Sequence, residues 1–177
     1  MIKHGFDMHN VFLSAPGDLE TERQICRAAF GEMNADHAMP RKVLLVNIGL
    51  INDGQIVDHR SAVAENIRQC AYFIQLFEDD WGPKHLFRKM FYLALDCRGD
   101  PAFPMQDVVV FLKAAPHETD AEILAFRKEL QERQDVRVFH FDKPDSLKEQ
   151  LSEVCREWVA AILASGGGIP ETRAEGA

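Results

Sequence analysis

The sequence is poor in cysteine, in long apolar stretches and in basic residues. Its 4 Cys are widely spaced, with no Cys-x-x-Cys pair, which argues against a disulfide framework and a cysteine-bound zinc site. No apolar run approaches the ~18 residues of a membrane-spanning helix, and residues 1–10 lack the basic start and apolar core of a signal peptide. We therefore expect a cytoplasmic protein without a membrane partner. The cysteines, expected to be reduced core residues, are Cys26, Cys70, Cys97 and Cys155.

The shortage of basic residues also bears on nucleic acid as a partner. The 20 Lys and Arg are outnumbered by 28 Asp and Glu, which gives a net charge of −8. Proteins that bind nucleic acid gain most of their affinity by neutralising phosphates with Lys and Arg. Because no basic stripe compensates for the acidic balance, we do not expect nucleic acid to be a partner.

Strand-like apolar runs alternate with amphipathic helical stretches along the 177 residues. This alternation predicts repeated βαβ units with right-handed crossovers. We therefore expect a three-layer α/β fold of flavodoxin type, with a five-stranded parallel sheet of order 2-1-3-4-5 and helices on both faces. One domain should cover residues 1–164, and residues 165–177 form a flexible tail or linker. The strand-like runs are 11–13, 43–48, 71–77, 108–112 and 136–141.

Local patterns predict how individual elements are built. The continuous apolar run 43–48 is typical of a strand buried on both faces. Asp18 suits the N-cap of the first helix. Capping-box spacing occurs before the fourth and fifth helices, at Thr119/Glu122 and Ser146/Glu149.

The predicted topology locates a ligand site before any motif does. In an open doubly wound sheet, ligands bind beyond the carboxyl ends of the strands, where the strand order reverses. For the order 2-1-3-4-5, this crevice lies between the first and third strands. Its walls would be residues 14–18 and 78–83, and residues 51–60 could close over it.

The first of these loops leads from Ser14 to Asp18. It contains neither a G-x-G-x-x-G fingerprint nor a P-loop, and Pro16 lacks a backbone N–H. Asp18 would also repel a phosphate. Two interpretations of this loop are open. In the structural one, Asp18 caps the helix and Gly17 allows the backbone to turn. In the functional one, Ser14 or Asp18 binds a ligand hydroxyl such as that of ribose.

The second loop, Glu78-Asp79-Asp80-Trp81, contains the most acidic run of the chain. Its carboxylates could bind Mg²⁺ through oxygen, bind ribose hydroxyls, supply an acid of raised pKa, or simply be solvated. Trp81 could stack on a base or anchor the loop by packing.

The sequence gives less support to a receiver domain, to a hydrolase triad or to a metal site. A receiver domain that accepts a phosphoryl group needs acidic residues after its first strand, where this chain has Ser14 and Ala15. No G-x-S-x-G nucleophile elbow indicates a hydrolase triad, and the seven histidines show no metal-ligand spacing. We therefore name no metal site.

The segment from Val11 to Arg23 resembles a recurring bacterial signature. It consists of a short strand, a serine and then Asp18-Leu19-Glu-Thr-Glu22-Arg23 at the start of the first helix. This is similar to the opening of Toll/interleukin-receptor-like (TIR-like) domains of unknown function in signalling and defence proteins. The run 73–77 followed by Trp81-Gly82-Pro83 looks like the third strand and loop of that family. The resemblance covers residues 9–141.

The resemblance implies a flavodoxin-like fold related to nucleoside deoxyribosyltransferases, in agreement with the strand pattern. Enzymatic relatives cleave the N-glycosidic bond of NAD or a nucleoside with a glutamate early in the helix after the third strand. Such a carboxylate can stabilise or attack an oxocarbenium-like centre. At the matched position this chain has Met90, preceded by Arg88 and Lys89.

Two hypotheses follow from this departure. The first is a non-catalytic TIR-like module that binds a nucleotide-like ligand, such as NAD, or assembles with itself or partner proteins. Its ligand-binding candidates are Ser14, Asp18, Asp79 and Trp81. The alternative is an N-glycosidase or NAD hydrolase whose catalytic carboxylates are Glu78 and Asp80, with Glu65 as a further candidate.

Overall fold

The computed structural model describes residues 5–49 and 60–166. Its five strands, numbered in chain order, form one parallel sheet of order 2-1-3-4-5, which confirms the predicted topology. The predicted closing loop 51–60, apart from Arg60, and most of the tail 165–177 lie outside the described residues. The strands are β1 (Asp7–Ser14), β2 (Val43–Gly49), β3 (Tyr72–Phe77), β4 (Asp107–Lys113) and β5 (Arg137–Phe141).

Helices cover both faces of the sheet, so the predicted three-layer arrangement is confirmed. One core cluster joins the first and fifth helices to one face, and a second cluster joins the second, third and fourth helices to the other. No helix in the described part of the chain is long and apolar enough to cross a membrane. The helices are α1 (Glu20–Met33), α2 (Arg60–Arg68), α3 (Leu86–Gly99), α4 (Ala121–Glu132) and α5 (Pro144–Ala164).

The core is built from alternate residues of the central strands. Val11 and Leu13 of β1 belong to one cluster, while Phe12 between them belongs to the other, because successive strand residues point to opposite faces. Every residue of β3 is buried. All four cysteines are free and buried, as predicted, and burial raises the pKa of Cys26 to about 12.

Strand β2 differs from the prediction of burial on both faces. Val43 and Leu45 are buried, but Leu44, Val46 and Ile48 are only half-buried. β2 is an edge strand that pairs only with β1 in the described sheet. Its outer side is therefore less covered than that of a central strand. A continuous apolar run therefore does not distinguish this edge strand from a central one.

The cap of α4 is also one residue from the predicted position. Asp120, not Thr119, is the N-cap, and its carboxylate accepts hydrogen bonds from the backbone N–H groups of Glu122 (2.8 Å) and Ile123 (3.1 Å). Both residues are good capping types, so the sequence pattern did not discriminate between them.

The capping box predicted for α5 is wrong as well. The helix begins at Pro144, and the Ser146 hydroxyl donates to the carbonyl of Lys143 (2.9 Å). Proline suits the first turn because the N–H it lacks has no partner within the helix. Ser146 and Glu149 thus lie inside α5 and do not mark its start.

The position of the α4 cap can be tested by paired substitutions. We expect Asp120→Ala to lower the free energy of unfolding by about 1 kcal/mol, the usual cost of a lost N-cap. Thr119→Ala is the matched control and should change it by less than about 0.5 kcal/mol. Urea denaturation measures both, and a larger loss for Thr119→Ala would contradict the structural assignment.

Candidate functional site

The acidic residues of the two predicted loops meet where the strand order reverses. β1 and β3 are neighbours, with Ser14 opposite Gln75 at their carboxyl ends. Asp18 follows β1, and Glu78 and Asp79 follow β3. Carboxylate oxygens of these three residues, the acidic cluster, lie within 4.8 Å of one another. The spacing suits a hard divalent cation or several hydroxyl donors.

Burial and mutual repulsion both disfavour ionisation of Asp18 and Asp79 in the cluster. Partial burial raises the pKa of Asp18, and the charges of Asp80, Asp79 and Glu78 raise it further. The pKa of Asp79 is also raised, first by burial and then by Glu78. Because mutual repulsion favours the protonated forms, a bound cation or hydrogen-bond donor would stabilise this arrangement.

Asp18 does not cap the first helix, so that prediction is wrong. The chain enters α1 through a 3-10 turn, Gly17–Leu19, and neither this turn nor α1 has a side-chain cap hydrogen bond. The Asp18 carboxylate is instead part of the acidic cluster. The alternative role, contact with a ligand, is therefore compatible with its position.

Lys113 supplies positive charge beside the cluster. Its ammonium nitrogen lies 2.9 Å from a carboxylate oxygen of Glu22 and 3.0 Å from one of Glu78. Hydrogen bonds to these two groups raise the pKa of Lys113. Neither Lys113 nor Glu22 was predicted as a site residue, although β4 ends at the same carboxyl end of the sheet and Glu22 belongs to the TIR-like motif.

Two arginines hold the backbone around the site. Arg23, which is buried, donates to the carbonyls of Ala15 (2.7 Å) and Pro16 (3.2 Å) in the first loop. Arg127 of α4 donates to the carbonyls of Glu78 (2.7 Å) and Lys113 (2.9 Å). The two arginines thereby join the first loop to α1, and the ends of β3 and β4 to α4.

Ser14 lies inside the sheet. It is 1% exposed, and its hydroxyl donates to the side-chain oxygen of Gln75 at 2.8 Å. The Gln75 amide in turn donates to the carbonyls of Leu76 (2.7 Å) and Ser14 (3.3 Å). The hydroxyl predicted to bind a ligand thus joins β1 to β3 in this structure.

Trp81 packs into the core beneath the loop. It is 5% exposed, its ring centroid lies 4.2 Å from that of Phe77 and 4.1 Å from that of Phe126, and the Arg88 guanidinium lies 5.6 Å from its ring. Of the two roles considered for Trp81, stacking on a base and anchoring the loop, these contacts correspond to the second. Asp80 accepts a hydrogen bond from the Gly82 N–H (2.9 Å), so it stabilises the turn.

Met90, the residue matched to the catalytic glutamate of TIR-like enzymes, and its neighbours lie in different environments. Met90 is 3% exposed and belongs to the core cluster between α3 and the sheet. Arg88 pairs with Glu122 of α4 at 2.9 Å, and Lys89 is exposed. Glu65 lies on α2, where it accepts a hydrogen bond from Gln69 at 3.0 Å.

The chain matches no protein-family model, and no curated protein is significantly similar to it. The TIR-like resemblance therefore stays a prediction based on the opening motif and the loop after β3.

Gly82 gives the loop after β3 its shape. Its φ is +67°, and a Cβ atom at this position would lie 2.4 Å from the Phe87 ring. We expect Gly82→Ala to lower the free energy of unfolding by about 1–3 kcal/mol through backbone strain and displacement of that ring. Gly17→Ala, where an added Cβ meets nothing within 4 Å, is the control and should change it by less than about 0.5 kcal/mol. Equal losses in thermal denaturation would contradict this assignment.

The acidic cluster also predicts a pH dependence of stability. A carboxyl group whose pKa is higher in the folded than in the unfolded chain binds its proton more tightly after folding, so stability falls as pH rises above the unfolded value of 3.8. Asp18→Asn and Asp79→Asn should therefore raise the free energy of unfolding at pH 7 by about 0.5 kcal/mol, the scale of exposed charge interactions. The gain should shrink as the pH approaches 3.8.

Urea denaturation between pH 7 and pH 4 measures this effect. Asp96→Asn on the exposed side of α3 is the matched control for loss of one negative charge. A loss of stability at pH 7 in both cluster variants, or an equal gain in Asp96→Asn, would contradict the cause assigned to the pKa shifts.

Proposed function

We propose that this chain is a non-catalytic TIR-like module of a cytoplasmic signalling or defence system, which binds a nucleotide-like ligand and assembles with itself or with partner proteins. The observation that supports this most is the acidic cluster of Asp18, Glu78 and Asp79 at the reversal of strand order. Open α/β sheets bind ligands at this place.

The chemistry of the cluster indicates which part of a ligand it contacts. Ionised carboxylates only accept hydrogen bonds, so ribose hydroxyls are suitable donors. A phosphate would be repelled unless a divalent cation lay between it and the carboxylates, since Mg²⁺ commonly joins one or two protein carboxylates to substrate phosphates. A nucleoside with free ribose hydroxyls, or a nucleotide with Mg²⁺, fits both requirements.

The surroundings of the candidate catalytic positions, among the described residues, support a binding role over glycosidic cleavage. Cleavage needs a carboxylate beside the sugar's anomeric carbon, where it stabilises the developing positive charge. Met90, at the matched position, has no charge and lies in the core. Of the two carboxylates proposed as catalytic, Glu78 is paired with Lys113 and Asp80 stabilises a turn.

One observation favours the alternative of an N-glycosidase. Asp79 is exposed, its pKa is raised, and it lies beside Glu78, so the two could divide the roles of acid and charge stabiliser as glycosidase carboxylates do. In this alternative NAD or a nucleoside is the substrate, and the released base is the product.

A paired assay distinguishes the two functions. Purified protein is incubated with NAD and with nucleosides, with and without Mg²⁺, and free base is measured by chromatography while the melting temperature reports binding. We expect no released base and a ligand-dependent rise in melting temperature. The rise should disappear in Asp18→Asn and Asp79→Asn but persist in Asp96→Asn.

Two results would contradict the proposal. Release of base that is lost in Glu78→Gln, Asp79→Asn or Asp80→Asn would show an enzyme. A melting temperature unchanged by every ligand, together with a monomer at all concentrations in sedimentation analysis, would remove both the ligand and the assembly role.

A further inference from the structure

A second feature at the carboxyl end of the sheet lies between β1 and β2, on the other side of β1 from the acidic cluster. It is a small, largely enclosed hollow of about 10 Å³, enough for one water-sized atom. Its wall combines the carboxyl ends of the two strands with one face of α1. The lining residues are Leu13, Ala15, Arg23, Arg27, Asn47 and Gly49.

Both charged residues of this lining are cationic. Arg23 and Arg27 are four residues apart on α1, a spacing that places them on the same face of the helix. Arg23 is 6% exposed, and its terminal nitrogens are held by Glu20 and by two loop carbonyls. Its guanidinium is therefore fixed in place before any ligand arrives.

Asn47 adds a hydrogen-bond donor that is not satisfied. Its amide nitrogen, Nδ2, is buried and has no hydrogen-bond partner among the described residues. A buried donor without a partner costs about 1–3 kcal/mol, and its presence in a folded protein commonly indicates a water or ion that occupies the site. The missing partner must be an acceptor, because Nδ2 can only donate.

The charges distinguish between a water molecule and an anion. Arg23 is already paired with Glu20 at 2.6 Å, so the positive charge offered to a ligand comes mainly from Arg27. Water is neutral and gains little from that charge, whereas an anionic oxygen can form a charge-assisted hydrogen bond with it. The volume of the hollow admits a single oxygen atom, so the remainder of the anion would lie at the opening. Phosphate and carboxylate groups both present an oxygen in this way.

We propose that Arg23, Arg27 and Asn47 form an oxyanion subsite that accepts one oxygen of a phosphate or carboxylate group. Arg23 fixes the loop that forms one wall of the subsite, Arg27 contributes the positive charge, and Asn47 Nδ2 donates to the bound oxygen. The subsite is independent of the acidic cluster, since it needs neither Asp18 nor Asp79.

The test uses the full chain and two simple anions, inorganic phosphate and acetate, at constant ionic strength. Titration calorimetry measures affinity, and ¹⁵N–¹H spectra follow the side-chain amide of Asn47. Arg27→Gln removes one charge from an exposed residue, and Asn47→Asp places a carboxylate where the anion would bind. Arg156→Gln on the exposed side of α5 and Asn66→Asp on α2 are the matched controls.

We expect saturable binding of at least one anion, with a shift of the Asn47 amide signals. Affinity should fall about tenfold or more in Arg27→Gln and Asn47→Asp, the loss expected for a charge-assisted hydrogen bond, and stay unchanged in the controls. Binding of phosphate alone would assign the subsite to a phosphoryl group, and binding of acetate as well to oxyanions in general.

Other results would overturn the subsite. These are no binding of either anion, equal weakening in Arg156→Gln, or binding that leaves the Asn47 amide signals in place. Ligand binding at the acidic cluster is tested separately, with Asp18→Asn and Asp79→Asn. These variants leave Arg23, Arg27 and Asn47 unchanged, so either proposal can fail without the other.

Discussion

The ion pairs of Lys113 with Glu22 and Glu78 are the interaction on which the rest of the candidate site depends. One ammonium group joins the start of α1, the end of β3 and the end of β4. Without this charge, Glu78 would lie beside Asp18 and Asp79 with one cation fewer to offset their repulsion. An exposed ion pair contributes little to stability, but a half-buried network that joins three elements also determines how the loops are positioned. Arg127 supports it from α4 through the carbonyls of Glu78 and Lys113.

The fold could be predicted because its determinants are local and repetitive. Alternation of apolar runs with amphipathic stretches indicates βαβ units, and chirality rules leave few strand orders. The wrong predictions, on the burial of β2 and on the helix caps, concern features that depend on distant parts of the chain or on single atoms. Residues 43–48 are as apolar as a central strand, and only the completed sheet shows that β2 is at its edge. Thr119 and Asp120 are both good caps, and the backbone conformation selects Asp120.

The location of the candidate site followed from topology, but the orientation of its side chains did not. Asp18, Glu78 and Asp79 were identified because they follow the two strands at which the order reverses. Trp81 was ambiguous because its environment includes Phe126 of α4, and no pattern in the loop itself reports that contact. Ser14 was assigned to a ligand because its partner, Gln75, is 61 residues away. Parallel register brings the two together, and register is not readable from either segment alone.

The TIR-like motif of residues 11–23 has a physical explanation in these contacts. Leu19 is fully buried and anchors the turn, Asp18 joins the acidic cluster, Glu22 pairs with Lys113 and Arg23 holds the first loop. The end of β1 thus lies between the acidic cluster, toward β3, and the hollow lined by Arg23 and Arg27, toward β2. A nucleotide has the same two kinds of group, since its ribose donates hydrogen bonds and its phosphate accepts them. In the function proposed above, the ribose of such a ligand would contact the acidic cluster, and its phosphate would contact the proposed oxyanion subsite.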